Sequence, residues 1–254
     1  MIDGTRAIRA GMLTAAEGLS LDEALVRSRP QQPLLALWRT QPAVVIGRFQ
    51  RADWEVDAAA CAARGVRIWR RFTGGGTVYL DPGTVCVALA VPPAHPAATA
   101  GVPEMYTPLL DGIVEALRMA GVTAVCDERT VRVGGRKVTG IAAHRSAAAT
   151  IVHGTVLCTA DLDALRACVA GPRDGDLAGL PRPAASRPDT VANTGIEELE
   201  PVLVRAFGAE QAPLPEPVAE QAERLAAERY ADREWHAGPW AAVTPPDVGR
   251  LLGG

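Results

Sequence analysis

At 254 residues the chain is long enough for one large domain with a substantial core, or for one domain with a small appendage. It is 48% hydrophobic but only 4% aromatic, so an aliphatic core is expected, and its net charge of −3 excludes a global basic field that would draw it to nucleic acid or anionic lipid. No apolar stretch reaches the roughly 18 residues of a spanning helix, no secretory leader is recognisable, and five cysteines without a CxxC pair read as reduced thiols of a cytoplasmic protein.

Residues Ala15 to Arg27 carry apolar side chains at helical spacing, with Asp22 and Glu23 on the path, and Arg29-Pro30 ends the pattern. Two short apolar runs, Pro33 to Arg39 and Ala43 to Ile46, are divided by Gln41-Pro42 and read as strands joined by a turn. Val56 to Arg64 is an alanine-rich helix stopped by Gly65, and Val66 to Arg70 alternates like a strand before three glycines. Val78 to Leu80 and Thr84 to Val91 read as a hairpin around Asp81-Pro82-Gly83. Pro103 to Ala120 is a helix with proline in its first turn and Gly121 at its end.

Strand-like runs follow over 122–126, 130–133 and 149–158, and Asp161 opens a helix towards Ala170. Gly171 to Asn193 is rich in proline and glycine, which predicts a functional lid or a disordered segment. Two acidic amphipathic helices, near 195–208 and 214–231, close the pattern, and the last 20 residues read as irregular. Strands and helices alternate without a βαβ rhythm, which predicts an α+β fold.

One basic side chain stands apart. Of 26 lysines and arginines, only Lys137 is a lysine. Where arginine serves nearly every other role, a retained lysine points to a site that needs a compact ammonium rather than a planar guanidinium. It lies in Gly134-Gly135-Arg136-Lys137-Val138-Thr139-Gly140, which also reads as a solvated turn.

The segment Arg70-Arg71-Phe72-Thr73-Gly74-Gly75-Gly76-Thr77-Val78-Tyr79 sets three glycines between arginines and threonines. Its N–H groups could wrap an anion, although a bare triple glycine is as readily a tight connection. It is neither a Walker A loop nor a dinucleotide fingerprint. His153-Gly154-Thr155 interrupts the apolar run Ile151 to Leu157, where glycine permits close backbone approach. Gly47-Arg48-Phe49-Gln50 places polar residues just after a buried strand.

Together these segments resemble the lipoate–protein ligase A family, within the biotin/lipoate ligase and octanoyltransferase superfamily. The family motifs are matched in order by Gly47-Arg48-Phe49-Gln50, Arg70 to Asp81, Arg136 to Ala142 and His153 to Leu157, and the likeness covers about residues 15–235. It implies an α+β fold of the biotin/lipoate ligase catalytic-domain, class II synthetase-like type, with a mixed, largely antiparallel sheet packed with helices. The implied activity is conversion of lipoate, or a related medium-chain acid, to acyl-AMP with ATP, followed by transfer to a lysine of a lipoyl carrier domain.

By the same resemblance Lys137 is the catalytic residue, neutralising charge where the carboxylate meets the α-phosphate. Substrate and adenylate contacts fall to Arg70, Thr73, Gly74, Gly75, Gly76, Thr77, Tyr79, Gly140, His153, Gly154 and Thr155. Mg²⁺ is implied with ATP, held mainly by phosphates and water rather than by a protein-built metal site. The implied partners are lipoyl carrier domains of 2-oxoacid dehydrogenases or the glycine cleavage carrier protein, met by a patch around Arg67, Arg70 and Arg71. Neither nucleic acid nor a membrane is implied.

The sequence departs from the family pattern at three places. Leu80 stands where the family has histidine, and Gly83 to Ala88 lacks the polar groups usual there, which leaves acyl specificity open. Residues 1–235 would form the catalytic domain and 236–254 an irregular tail, with no accessory domain. Activation would then use a separate accessory chain, dispense with one, or give way to transfer of an acyl group already activated. The last option is an octanoyl or lipoyl transferase that needs no ATP and uses a nucleophile, for which Cys126, 11 residues before Lys137, is the candidate. The residues themselves favour reading Cys126 as a buried strand-end cysteine, beside two acids that would raise its pKa. A non-catalytic protein that holds an acyl adenylate is the other alternative, and a biotin ligase fits the glycine loop less well.

Overall fold

The computed structural model describes residues 2–169 and 190–253. It opens with β1 (Arg6–Leu13) and α1 (Ala15–Arg27). The Thr14 hydroxyl accepts the Glu17 N–H while the Glu17 carboxylate takes the Thr14 N–H, a reciprocal cap that fixes where α1 starts. There follow β2 (Leu34–Thr40), β3 (Ala43–Ile46), the short helices α2 (Ala52–Glu55) and α3 (Ala58–Ala63), then β4 (Arg67–Arg70), β5 (Val78–Leu80) and β6 (Thr84–Val91). After α4 (Pro96–Thr99) and the long α5 (Val102–Met119) come β7 (Ala124–Asp127), β8 (Thr130–Val133), β9 (Arg136–Lys137), β10 (Thr139–Arg145) and β11 (Thr150–Leu157). The chain continues with α6 (Leu162–Cys168), α7 (Glu200–Ala206), β12 (Glu210–Gln211), α8 (Glu216–Leu225), α9 (Arg233–Ala237) and α10 (Pro246–Gly249).

These elements make a mixed α+β fold. A six-stranded sheet runs β10-β11-β6-β2-β1-β12, and two three-stranded sheets run β4-β3-β5 and β7-β8-β9. The central strand β6 is buried at every residue because both faces of its sheet are covered. On one face Leu35, Leu37, Val87 and Leu89 pack with Leu109, Ile113 and Leu117 of α5 and Phe207 just after α7. On the other, Ala36, Trp38, Cys86 and Ala88 pack with Leu21 and Leu25 of α1, Val218 of α8 and Tyr230. A third cluster joins Val44 and Ile46 of β3 to Cys61, Leu165 and Leu252.

Three expectations need correction. The turn at Asp81-Pro82-Gly83 is present, with the Asp81 carboxylate accepting from the Gly83 N–H and the Thr84 hydroxyl, but it does not close a hairpin. β5 pairs with β3 and β6 with β2 and β11, so the chain changes sheets there. β1 is a strand that periodicity missed. The last 20 residues, expected to be irregular, form α9, a 3-10 stretch over Gly238–Val243, and α10, and Leu252 bridges Ile68 of β4. The segment expected to be a lid or disordered lies, up to residue 189, outside the described residues. No helix among the described residues is long and apolar enough to cross a membrane.

Candidate functional site

The glycine loop between β4 and β5 is organised by Arg71. This side chain is buried, and its guanidinium donates to the carbonyls of Gly74 (2.6 Å) and Gly76 (2.8 Å), to Val45 O and to the Thr73 hydroxyl. The N–H groups of Gly74, Gly75 and Gly76 bond to no other described residue. Carbonyls pinned from behind with N–H groups left over are what a loop needs to receive an anion, although Gly74, Gly75 and Gly76 line neither cleft described below. Gly75 adopts φ +89, and a Cβ on Gly47 would fall 2.2 Å from its carbonyl oxygen, so no side chain fits between the end of β3 and the loop. Gln50 Oε1 accepts the Gly47 N–H (2.7 Å) and the Thr77 hydroxyl (3.1 Å). Its buried Nε2 has no partner among the described residues, a donor left for a bound group.

Arg70 is 1% exposed and donates to five carbonyls, those of Gly47, Arg48, Gln50, His236 and Ala237. It ties the turn after β3 to the C-terminal segment and lines neither cleft described below, contrary to expectation. Neither Arg70 nor Arg71 meets a carboxylate among the described residues. Burial pushes both guanidinium pKa values down to about 10, which still leaves two buried cations with no counterion among the described residues at neutral pH. An anion arriving at the glycine loop would supply one.

Lys137 lies at the end of β9, opposite Arg132 of β8 and bridged to Val191. Its side chain enters a cleft of about 40 Å³ shared with Thr77, Tyr79, Thr139, Gly140 and Thr155, and closed by the apolar Leu157, Leu165, Val169 and Val191. Burial, and after it Arg132, holds the ammonium pKa below the usual lysine value. One cation, several hydroxyl groups and an apolar end suit a phosphate or carboxylate attached to an apolar body. Four of the expected contact residues, Thr77, Tyr79, Gly140 and Thr155, therefore do gather around Lys137. Gly154 acts at one remove: a Cβ there would lie 2.3 Å from Gly140 O, so it sets the spacing of β10 and β11.

His153 and Thr73 lead elsewhere. The Thr73 hydroxyl oxygen accepts from Arg71 Nε (3.1 Å), so its proton points to His153 Nε2 at 2.7 Å. That leaves the His153 Nδ1–H for Asp22 Oδ2 at 2.6 Å, and Asp22 Oδ1 accepts from Trp38 Nε1 at 3.0 Å. All of these side chains are buried. The string joins α1, β2 and β11 to the glycine loop. Asp22 was absent from the expected site, although two adjacent acids inside an apolar helix are the signal that marks it. The neighbouring Glu23 takes Arg27, Arg229 and Tyr230 on its carboxylate.

A second cleft, about 270 Å³, opens towards the far end of β10, lined by Glu23, Arg27, Arg48, Phe72, His144 and Arg229. Cys126 lies on the exposed strand β7 and lines neither cleft. Burial, reinforced by Asp111, pushes its thiol pKa up, which disfavours the thiolate. The expected docking arginines Arg70 and Arg71 are buried, so they present no surface to a partner.

The chain matches the lipoyl protein ligase A/B catalytic domain over residues 14–208. It is 32% identical to the octanoyltransferase LipM of Kyrpidia tusciae, over 91% of this chain and 97% of that protein. Among solved structures it resembles a lipoate-protein ligase A bound with ATP, at a TM-score of 0.79 and 25% identity over 92% of this chain and 98% of that one. It also resembles a chain from the study of a bi-partite lipoate protein ligase and its E2 lipoyl domain from Thermoplasma acidophilum, at a TM-score of 0.78 and 26% identity over 92% and 96%. A match of that extent, on a fold shared along nearly the whole chain, means that this protein belongs to the lipoyl protein ligase A/B catalytic domain family.

Proposed function

We propose that the chain is a lipoate–protein ligase, which activates lipoate or a related medium-chain acid with ATP and passes the acyl group to a lysine of a lipoyl carrier domain. The observation that carries this reading is the meeting of the Lys137 ammonium with Thr77, the last residue of a glycine loop whose N–H groups have no partner among the described residues, in one cleft with an apolar end. The carboxylate oxygen bonds to the α-phosphorus as the bond to pyrophosphate breaks. The carrier amine then adds to the acyl carbonyl, AMP leaves, and the amine loses its proton. Lys137 and the loop stabilise the negative charge common to both steps.

The ATP-bound ligase and the bi-partite ligase with its lipoyl domain support the choice of nucleotide and partner. Mg²⁺ accompanies ATP and is held by its phosphates and water. Among the described residues no group of three His, Cys, Asp or Glu is arranged to hold a metal ion. Residues 1–235 act as the catalytic domain together with the helical segment that docks on β4 after them, a separate accessory chain assists activation, and the thiols, none paired in a disulfide, fit a cytoplasmic protein.

A second reading, an octanoyltransferase working without ATP, is favoured by the likeness to LipM. Exchange of labelled pyrophosphate into ATP, dependent on lipoate or octanoate and lost in Lys137→Ala, is expected of the ligase. Transfer from an octanoyl carrier with no exchange under any condition, including added accessory chain, would replace it with the transferase.

A further inference from the structure

The second cleft opens beside an aromatic–arginine knuckle that neither reaction step uses. Phe49 is 71% exposed at the tip of the turn after β3. The Arg48 guanidinium lies 5.7 Å from the Phe49 ring centroid and 5.9 Å from that of Trp235, and Arg229 stacks on Trp235 from 4.5 Å. Arg27, Arg48 and Arg229 share the cleft with one carboxylate, Glu23, so a locally cationic surface sits on a chain whose net charge is −3. The cleft mouth is half wet: Arg27 keeps 46% of its side chain exposed and Arg229 keeps 28%, while Glu23 keeps 3%. A large exposed ring braced by stacked guanidinium groups is the residue chemistry that dominates protein-binding hot spots.

The position of the knuckle ties it to the reaction. The Arg48 N–H donates to Thr73 O at 2.8 Å, and Arg70 holds the carbonyls of Gly47, Arg48 and Gln50, so the knuckle is rigidly joined to the glycine loop. A partner seated there lies against the loop that binds the activated group. We propose that Phe49, Arg48 and Arg229 form the docking surface for the acceptor domain, a protein with an acidic face beside its target lysine. This rests on the ligase or transferase reading for the occupant, and it replaces Arg67, Arg70 and Arg71 as the contact surface. Opposite charge steers the encounter, and the ring supplies the apolar contact that slows release.

The test uses the full-length protein, the lipoyl domain of a 2-oxoacid dehydrogenase, and the same domain with its target lysine changed to arginine. Phe49→Ala and Arg48→Glu are compared with wild type in two assays: binding of the lysine-free domain, and transfer from supplied lipoyl-AMP. Both variants should weaken binding and raise KM for the domain about tenfold, as one hot-spot side chain does, with kcat and lipoyl-AMP affinity unchanged. The Arg48→Glu effect should shrink between about 50 mM and about 300 mM salt. Transfer by wild type with unaltered KM in both variants overturns the surface and leaves the proposed function standing. Binding without transfer does the reverse. A variant effect seen only with anionic vesicles or single-stranded DNA also overturns the assignment.

Discussion

His153 Nδ1 lies 2.6 Å from Asp22 Oδ2, and this contact joins β11 of the large sheet to the first helix from inside the core. Removing the carboxylate would leave the His153 Nδ1–H and the Trp38 Nε1–H buried without an acceptor. Asp22→Ala is therefore expected to cost about 3 kcal/mol of stability. Urea unfolding should show the loss as a lower midpoint at constant slope, and a midpoint within error of wild type would refute the account.

Lys137→Ala should lower kcat by about two to three orders of magnitude, the usual effect of losing preorganised charge at a transition state. Lys137→Arg should recover little of it, because a planar guanidinium on a longer stem does not put a compact point charge where the ammonium sits. Burial already holds the Lys137 pKa below the ordinary lysine value, so the positive charge is lost earlier as pH rises. The alkaline limb of the pH–rate profile should lie below the roughly 10.4 of a free lysine.

Cys126→Ser should retain activity within about twofold, since a thiol raised by burial and Asp111 supplies little thiolate at neutral pH. Intact-mass analysis after incubation with an octanoyl donor should find no acyl adduct on wild type. An adduct that disappears in Cys126→Ser would revive the transferase with that residue as nucleophile.

His236 accepts the Arg70 N–H on Nδ1 and donates from Nε2 to Tyr230 O, which fixes it as the neutral imidazole. Burial pushes its pKa down to about 4. The unfolded chain would take up that proton near pH 6.5 and the folded chain only near pH 4. Stability carried by the group is therefore complete above the unfolded value and falls as the solution is acidified through that window. The expected loss is about 3 kcal/mol between pH 6.5 and 4. Burial lowers His95 and His144 in the same direction. Unfolding titrations at several pH values check the slope, and an imidazole NMR signal from His236 that titrates near 6.5 would contradict it.

Much of the fold was legible because its signals are local. The Ala15 to Arg27 helix, the strand ending at Ile46 and the helix closed by Gly121 all follow from periodicity and punctuation. β1 was not, because a half-buried strand containing Arg6 and Arg9 pairs in parallel with β2, and only tertiary contact reveals it. Lys137 and Thr155 line one cleft, whereas Arg70 and His153 line neither. Motif spacing brings residues to one loop or strand but is silent on whether a side chain turns to the cleft or into the core. Arg70 turns inward because five carbonyls await it there, three of which belong to the motif Gly47-Arg48-Phe49-Gln50 itself.

The grip of Arg70 on His236 and Ala237 has a consequence for where this catalytic unit ends. The family model matches residues 14–208, yet the turn after β3 is anchored by atoms of His236 and Ala237, and Leu252 completes an apolar cluster with Val44 and Ile46. The extent of the family model and that of the mechanical unit do not coincide. A fragment trimmed to the matched region would keep every recognisable motif while losing the clamp that holds the first of them in shape.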